Sequence, residues 1–131
     1  MDANLAVRRA GGVVVVALSG DYDLSRAATL HTQLLDVLRA RPTGIVIDLS
    51  EVTFCDLACL RTMANLGRRS TAVGTWMRMA GPSPVVRRLL EITGLCASLP
   101  CYLDIDAAIR GKVRAVAVPA GRGLDVPAVA S

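Results

Sequence analysis

Aromatic residues are scarce in this chain. Trp76, Tyr22, Tyr102 and Phe54 make up 3% of its 131 residues, and they stand singly. A surface for single-stranded nucleic acid stacks bases on rings set among cations. Direct nucleic-acid binding is therefore not expected, even though 15 basic against 11 acidic residues leave a net charge of +4. Lysine is scarcer still, Lys112 being the one basic residue that is not arginine. A phosphoryl-accepting receiver would use Asp21 and Asp23 for Mg²⁺, Asp48 or Asp56 as acceptor, and a lysine after its last strand. Lys112 falls instead in the expected final helix, and that reading is set aside.

Long apolar runs are missing too. The longest, Val13 to Leu18, is far short of the roughly 20 residues that span a bilayer. Asp2 and the Gly11-Gly12 pair interrupt any leader-like run near the start, so a soluble cytoplasmic chain without membrane contact is expected. The single histidine, His31, has no serine, cysteine or metal-ligand neighbour in sequence and reads as an ordinary helix position. The four cysteines, without a secretory leader, read as reduced thiols. They fall as Cys55/Cys59 and Cys96/Cys101, spacings unlike the close pairs of zinc sites, so no metal and no other cofactor is expected.

What is present is the making of one core. The composition is 53% apolar and 20% charged, that of a globular chain of single-domain length. Residues 1–117 are expected to fold, and the Pro-, Gly- and Ala-rich residues 118–131 to form a disordered tail. Val13-Val14-Val15-Val16-Ala17-Leu18 and Ile45-Val46-Ile47-Asp48-Leu49 are the runs of buried strands. Thr75 to Ala80 predicts a third strand and Leu99 to Leu103 a short last one. Residues 4–9 predict an edge strand that turns back at Gly11-Gly12. Helical spacing covers 25–41, 57–72, 84–92 and 104–116, with Asp56 and Ser83-Pro84 as N-terminal signals and Gly94 as a stop. Trp76, Met77 and Met79 read as strand core, and Arg87 and Arg88 as a solvated helix face.

Strand–helix alternation builds parallel pairs with right-handed crossovers. The expected fold is α/β, a mixed, mostly parallel sheet of four to five strands with about four helices. The segments leaving the two apolar strands then emerge at one edge of the sheet, where open α/β folds bind partners. That edge carries Gly20-Asp21-Tyr22-Asp23 and Glu51-Val52-Thr53-Phe54-Cys55-Asp56, expected as loops. A thiol near a helix N-terminus can ionise more readily, which makes Cys55 and Cys59 redox candidates.

Three stretches then resemble a known family. Leu18-Ser19-Gly20-Asp21-Tyr22-Asp23 is similar to its "L-x-G-[ED]-[LI]-D" turn. Ile47 through Leu60 is similar to "hydrophobic-D-L-S-x-V-x-F-[MIC]-D-S-S-G-L", and Pro82 through Leu95 to the segment ending in "L-x-x-x-G-L". The family is that of STAS domains, shared by anti-sigma factor antagonists and the tails of sulfate transporters. The resemblance implies partner binding rather than catalysis: an antagonist binds an anti-sigma factor, a serine kinase of the GHKL type, and so frees a sigma factor. Asp21, Asp23, Asp56, Leu57, Ala58, Cys59 and Arg61 are the partner-binding residues it implies, in a monomer or weak homodimer. The kinase reverses binding in the family by phosphorylating a serine at the start of the helix after the D-S-S-G turn. Here the turn reads Asp56-Leu57-Ala58-Cys59, so the phospho-acceptor position is Ala58, whose methyl group accepts no phosphate. A second reading is a phosphorylation-independent STAS scaffold, or a regulator sensing a small ligand or redox state.

Overall fold

The computed structural model describes residues 2–112. Five strands form one sheet and lie side by side in chain order. Strands β1 (Asn4–Ala10) and β2 (Val13–Tyr22) form the expected antiparallel hairpin, with Gly11 at φ +66° supplying the turn. Strands β2, β3 (Gly44–Cys55), β4 (Trp76–Ala80) and β5 (Cys101–Tyr102) run parallel. Helices α1 (Ala27–Arg39), α2 (Leu57–Ala72), α3 (Pro84–Thr93) and α4 (Ile105–Arg110) connect or follow them.

One face of the sheet carries the larger core. Val14, Val16, Leu18, Ile45, Ile47, Leu49, Met77 and Met79 pack against Leu30, Leu34 and Leu38 of α1, Leu60, Met63 and Leu66 of α2, and Val86 and Leu90 of α3. Each helix contributes residues at i, i+3 or i+4, the stripe that the sequence periodicity predicts. The opposite face carries Val13, Val15, Val46, Ala80 and Tyr102 with Ala108 of α4. There the Trp76 ring lies over Gly44, where an added Cβ would come within 2.0 Å of the indole. The Arg78 guanidinium stands 4.0 Å from the Trp76 ring centre and donates to the Ala108 carbonyl at 2.8 Å, tying the end of α4 to the sheet.

Several boundaries differ from expectation. Gly20 to Tyr22 and Glu51 to Cys55 are strand rather than loop, because β2 and β3 go on pairing to Tyr22 opposite Cys55. The pairing survives the polar residues through register shifts between Ala17 and Ser19 and between Gly20 and Asp21. Gly20 permits this: its φ is +86°, and a Cβ there would meet the Asp2 carbonyl at 2.1 Å. A 3-10 turn, Leu24–Arg26, precedes α1, which ends at Arg39. The last strand is two residues long, and α4 stops at Gly111, in the left-handed conformation, leaving Lys112 beyond the helix. The rest of the expected helix to 116, and the tail from Val118, lie outside the described residues.

Candidate functional site

The C-terminal edge of the sheet is built by the ends of β2 and β3 and by what each leads into. The Asp56 amide donates to the Tyr22 carbonyl at 2.8 Å, so the two strand ends are joined at their last residues. Asp56 then starts α2 as its N-cap, its Oδ2 accepting the Ala58 amide at 2.9 Å. Asp23 does the same for the 3-10 turn, its Oδ1 accepting the Ser25 amide at 3.0 Å and the Ser25 hydroxyl at 2.5 Å. The Cys59 thiol donates to the Asp23 carbonyl at 3.3 Å. Asp23, Asp56, Leu57, Ala58 and Cys59 thus form one continuous structure, with Arg61 exposed on the next turn of α2.

Asp21 does not join this group. Tyr22 faces the core, where its hydroxyl donates to the Asn4 carbonyl at 2.7 Å. Strand alternation turns Asp21 the other way, and there it accepts a hydrogen bond from the Thr53 hydroxyl. That bond is the largest of the influences that hold its carboxyl below the ordinary value.

The cysteines are not poised as thiolates. Cys55 and Cys59 are both buried, and burial pushes Cys55 up to about 12 and Cys59 up to about 11, from an ordinary 9.0. The carboxylate of Asp56 raises both further, so the lowering expected from the nearby helix terminus is overridden. Cys101 is likewise buried and raised to about 12. Among the described residues no group of His, Cys, Asp and Glu is arranged to hold a metal ion. No helix among them is long and apolar enough to cross a membrane.

Two residues of this edge escape a reading of the sequence. Leu24 is 68% exposed and Phe54 47% exposed, beside Asp23 and Asp56 in the chain. Phe54 sits in an apolar-looking stretch, Val52-Thr53-Phe54-Cys55, in which Val52 and Cys55 are buried and the ring is not. By strand alternation Phe54 would share the face of Val52; the register shift between Gly20 and Asp21, which pairs Phe54 with Asp21, breaks that phase, and no local signal in the sequence marks it.

The family model described as Mlab, STAS domain matches residues 5–100. The anti-sigma-F factor antagonist RsfB of Mycobacterium tuberculosis is 29% identical over 102 residues, covering 76% of this chain and 81% of that protein. An anti-sigma F factor antagonist of Paenibacillus polymyxa is 26% identical over 103 residues, covering 78% of this chain and 88% of that one. The crystal structure of an anti-sigma factor antagonist from Mycobacterium paratuberculosis superposes with a TM-score of 0.74 at 28% identity, over 84% of this chain and 93% of that one. With its hairpin, its parallel strands and the capped helix at Asp56, this chain belongs to the STAS domain family.

Proposed function

We propose that this chain is an anti-sigma factor antagonist whose binding surface is the joined edge of Asp23, Asp56, Leu57, Ala58, Cys59 and Arg61. Its partner on this reading is an anti-sigma factor of the GHKL kinase type. The names of the similar proteins support the antagonist role. The observation that carries the reading of the surface is the pair of bonds joining Asp23 to Cys59 and Tyr22 to Asp56. They place two carboxylates and the first turn of α2 on one rigid base, which presents a partner with a preorganised surface.

The same geometry bears on regulation. Ala58 is the second residue of α2 and half-buried beside the Asp56 carboxylate. A phosphate at this position would add nearly two negative charges to the surface. Alanine offers no hydroxyl, so binding is not released by ATP through residue 58. The protein acts as a permanently unphosphorylated antagonist.

The test is titration calorimetry of the chain with a candidate GHKL anti-sigma kinase, with intact-mass analysis after incubation with ATP. Binding of unmodified chain is expected, unchanged in mass by ATP. Asp23→Arg weakens it by about 1–3 kcal/mol, the range of an interface polar contact. Full affinity of a folded Asp23→Arg variant moves the interface elsewhere. A stoichiometric phosphate on the wild-type chain, mapped to Thr53 or Thr62, shows that the switch has moved.

A further inference from the structure

The opposite edge of the sheet carries a basic pocket that the antagonist role leaves unused. Arg39, Arg41 and Arg69 surround it at the C-terminal ends of α1 and α2, over a floor of Leu38 and Val73, with a volume of about 250 Å³. Arg39 is paired with Asp36 at 3.0 Å. Among the described residues, Arg41 and Arg69 have neither an ion pair nor a side-chain hydrogen bond. Both are exposed, and Val73 is 42% exposed beside them.

The backbone adds a second observation. Arg41 stands at φ +50°, the one residue other than glycine in the left-handed region among those described. Its amide donates to the Leu38 carbonyl at 2.9 Å, closing α1 before Pro42. Helices that close this way take glycine or asparagine there, because a Cβ strains the conformation. An arginine is thus held, against its conformational preference, at the mouth of a pocket already lined with arginine.

We infer that this pocket seats the acidic edge of a second copy of the chain, head to tail. The two edges are complementary. The basic edge offers Arg41, Arg69 and an exposed Val73. The acidic edge offers Asp23 and Glu51, both exposed, and the half-buried Asp56, with the exposed Leu24 and Phe54. Arg61, exposed, and Arg26, half-buried in the 3-10 turn, are the cations beside these three carboxylates, which still outnumber them. The two edges cannot meet within one molecule. The parallel strands put them at opposite ends of β3, whose 12 residues extend roughly 35 Å at about 3.3 Å each. A head-to-tail contact between unlike surfaces leaves one of each edge free after two copies, so it propagates as an open chain or closes into a ring of three or more. Each contact covers Asp23 and Asp56. Self-association therefore hides the surface proposed above and competes with the anti-sigma factor, a control that needs no phosphate and that rests on that reading of the surface.

Sedimentation velocity on the chain alone tests this, across protein concentration and salt. At about 20 mM salt, where the screening length is roughly 20 Å, the mean mass rises past the dimer with concentration; at about 0.5 M it returns to the monomer. Arg41→Gly combined with Arg69→Glu weakens association at least about tenfold, glycine being at ease in the left-handed position. Asp23→Arg does the same from the other edge. Each variant keeps one sound edge, so an equimolar mixture forms a dimer that grows no further. A strict monomer at low salt overturns the proposal, as does a closed dimer indifferent to both sets of changes. The wild-type salt series stands even where a variant fails to fold. A wild-type chain that binds the anti-sigma factor yet stays monomeric at low salt sinks this inference alone, and one that self-associates without binding the anti-sigma factor sinks only the antagonist reading.

Discussion

At residue 58 a methyl group stands where the family resemblance implies a serine hydroxyl, in a turn that also has Leu57 for serine and Cys59 for glycine. Ala58 lies in the first turn of α2 with its amide already held by Asp56, so a small polar side chain is tolerated there. Ala58→Ser is expected to change stability by only about 0.5 kcal/mol in urea denaturation. Ala58→Glu puts a carboxylate near the positive end of the helix and leaves the fold intact, while weakening anti-sigma binding by charge and desolvation. Circular dichroism and calorimetry on the same sample separate the two effects. Arg41→Gly is expected to stabilise the chain by about 0.5–1 kcal/mol, relief of the left-handed strain outweighing the greater freedom of the unfolded glycine. Loss of stability there would mean that the arginine makes contacts that offset its strain.

At the scale of elements, two contacts decide how the sheet meets its helices. Asp56 is the hinge between β3 and α2, and Asp56→Ala is expected to cost about 1 kcal/mol through the lost cap. The other contact is Gly44 under Trp76. A methyl group at residue 44 has no room, since the indole carbons lie 2.0–2.3 Å from where it would stand. Gly44→Ala is expected to cost about 1–3 kcal/mol, as overpacking does, read as a lower urea midpoint. The shift of Trp76 also loosens Arg78 and, through it, the end of α4. Trp76 fluorescence reports that change directly.

For the whole molecule, the buried acids of high pKa set the alkaline limit. Burial raises Cys55 and Cys101 to about 12, Cys59 to about 11, and Tyr22 from 10.0 to about 12. Each ionises more readily once unfolded, so above pH 9 the unfolded chain binds fewer protons than the folded one. Stability is therefore full below about pH 9 and falls as pH rises toward 11–12. Equilibrium urea unfolding between pH 7 and 11 reads this slope, and a flat profile would contradict the burial of these groups. The same burial predicts slow thiol labelling in the native state at neutral pH and rapid labelling in urea.

The local pattern by itself determined most of the architecture. Val13 to Leu18 and Ile45 to Leu49 read as buried strands because they are short, β-branched and apolar on both faces, and Leu30, Leu34 and Leu38 read as one helical stripe because they recur at a period near 3.6. Asp56, Ser83 and Gly94 announced their helix ends because capping is chemistry between near neighbours. Asp23 and Asp56 could be placed at one edge because parallel strands end on the same side. Tertiary structure alone decided the rest. The extension of β2 and β3 through polar residues depends on pairing between strands that lie far apart in sequence, and on Asp2 crossing Gly20. That Asp21 finds Thr53 as its partner depends on the register shift between Gly20 and Asp21, which no local pattern shows. The thiols of Cys55 and Cys59 are un-ionised because burial outweighs the helix terminus, and burial is a property of the packed whole. The pocket of Arg39, Arg41 and Arg69 is likewise invisible in sequence: it exists only where the ends of two helices are brought side by side.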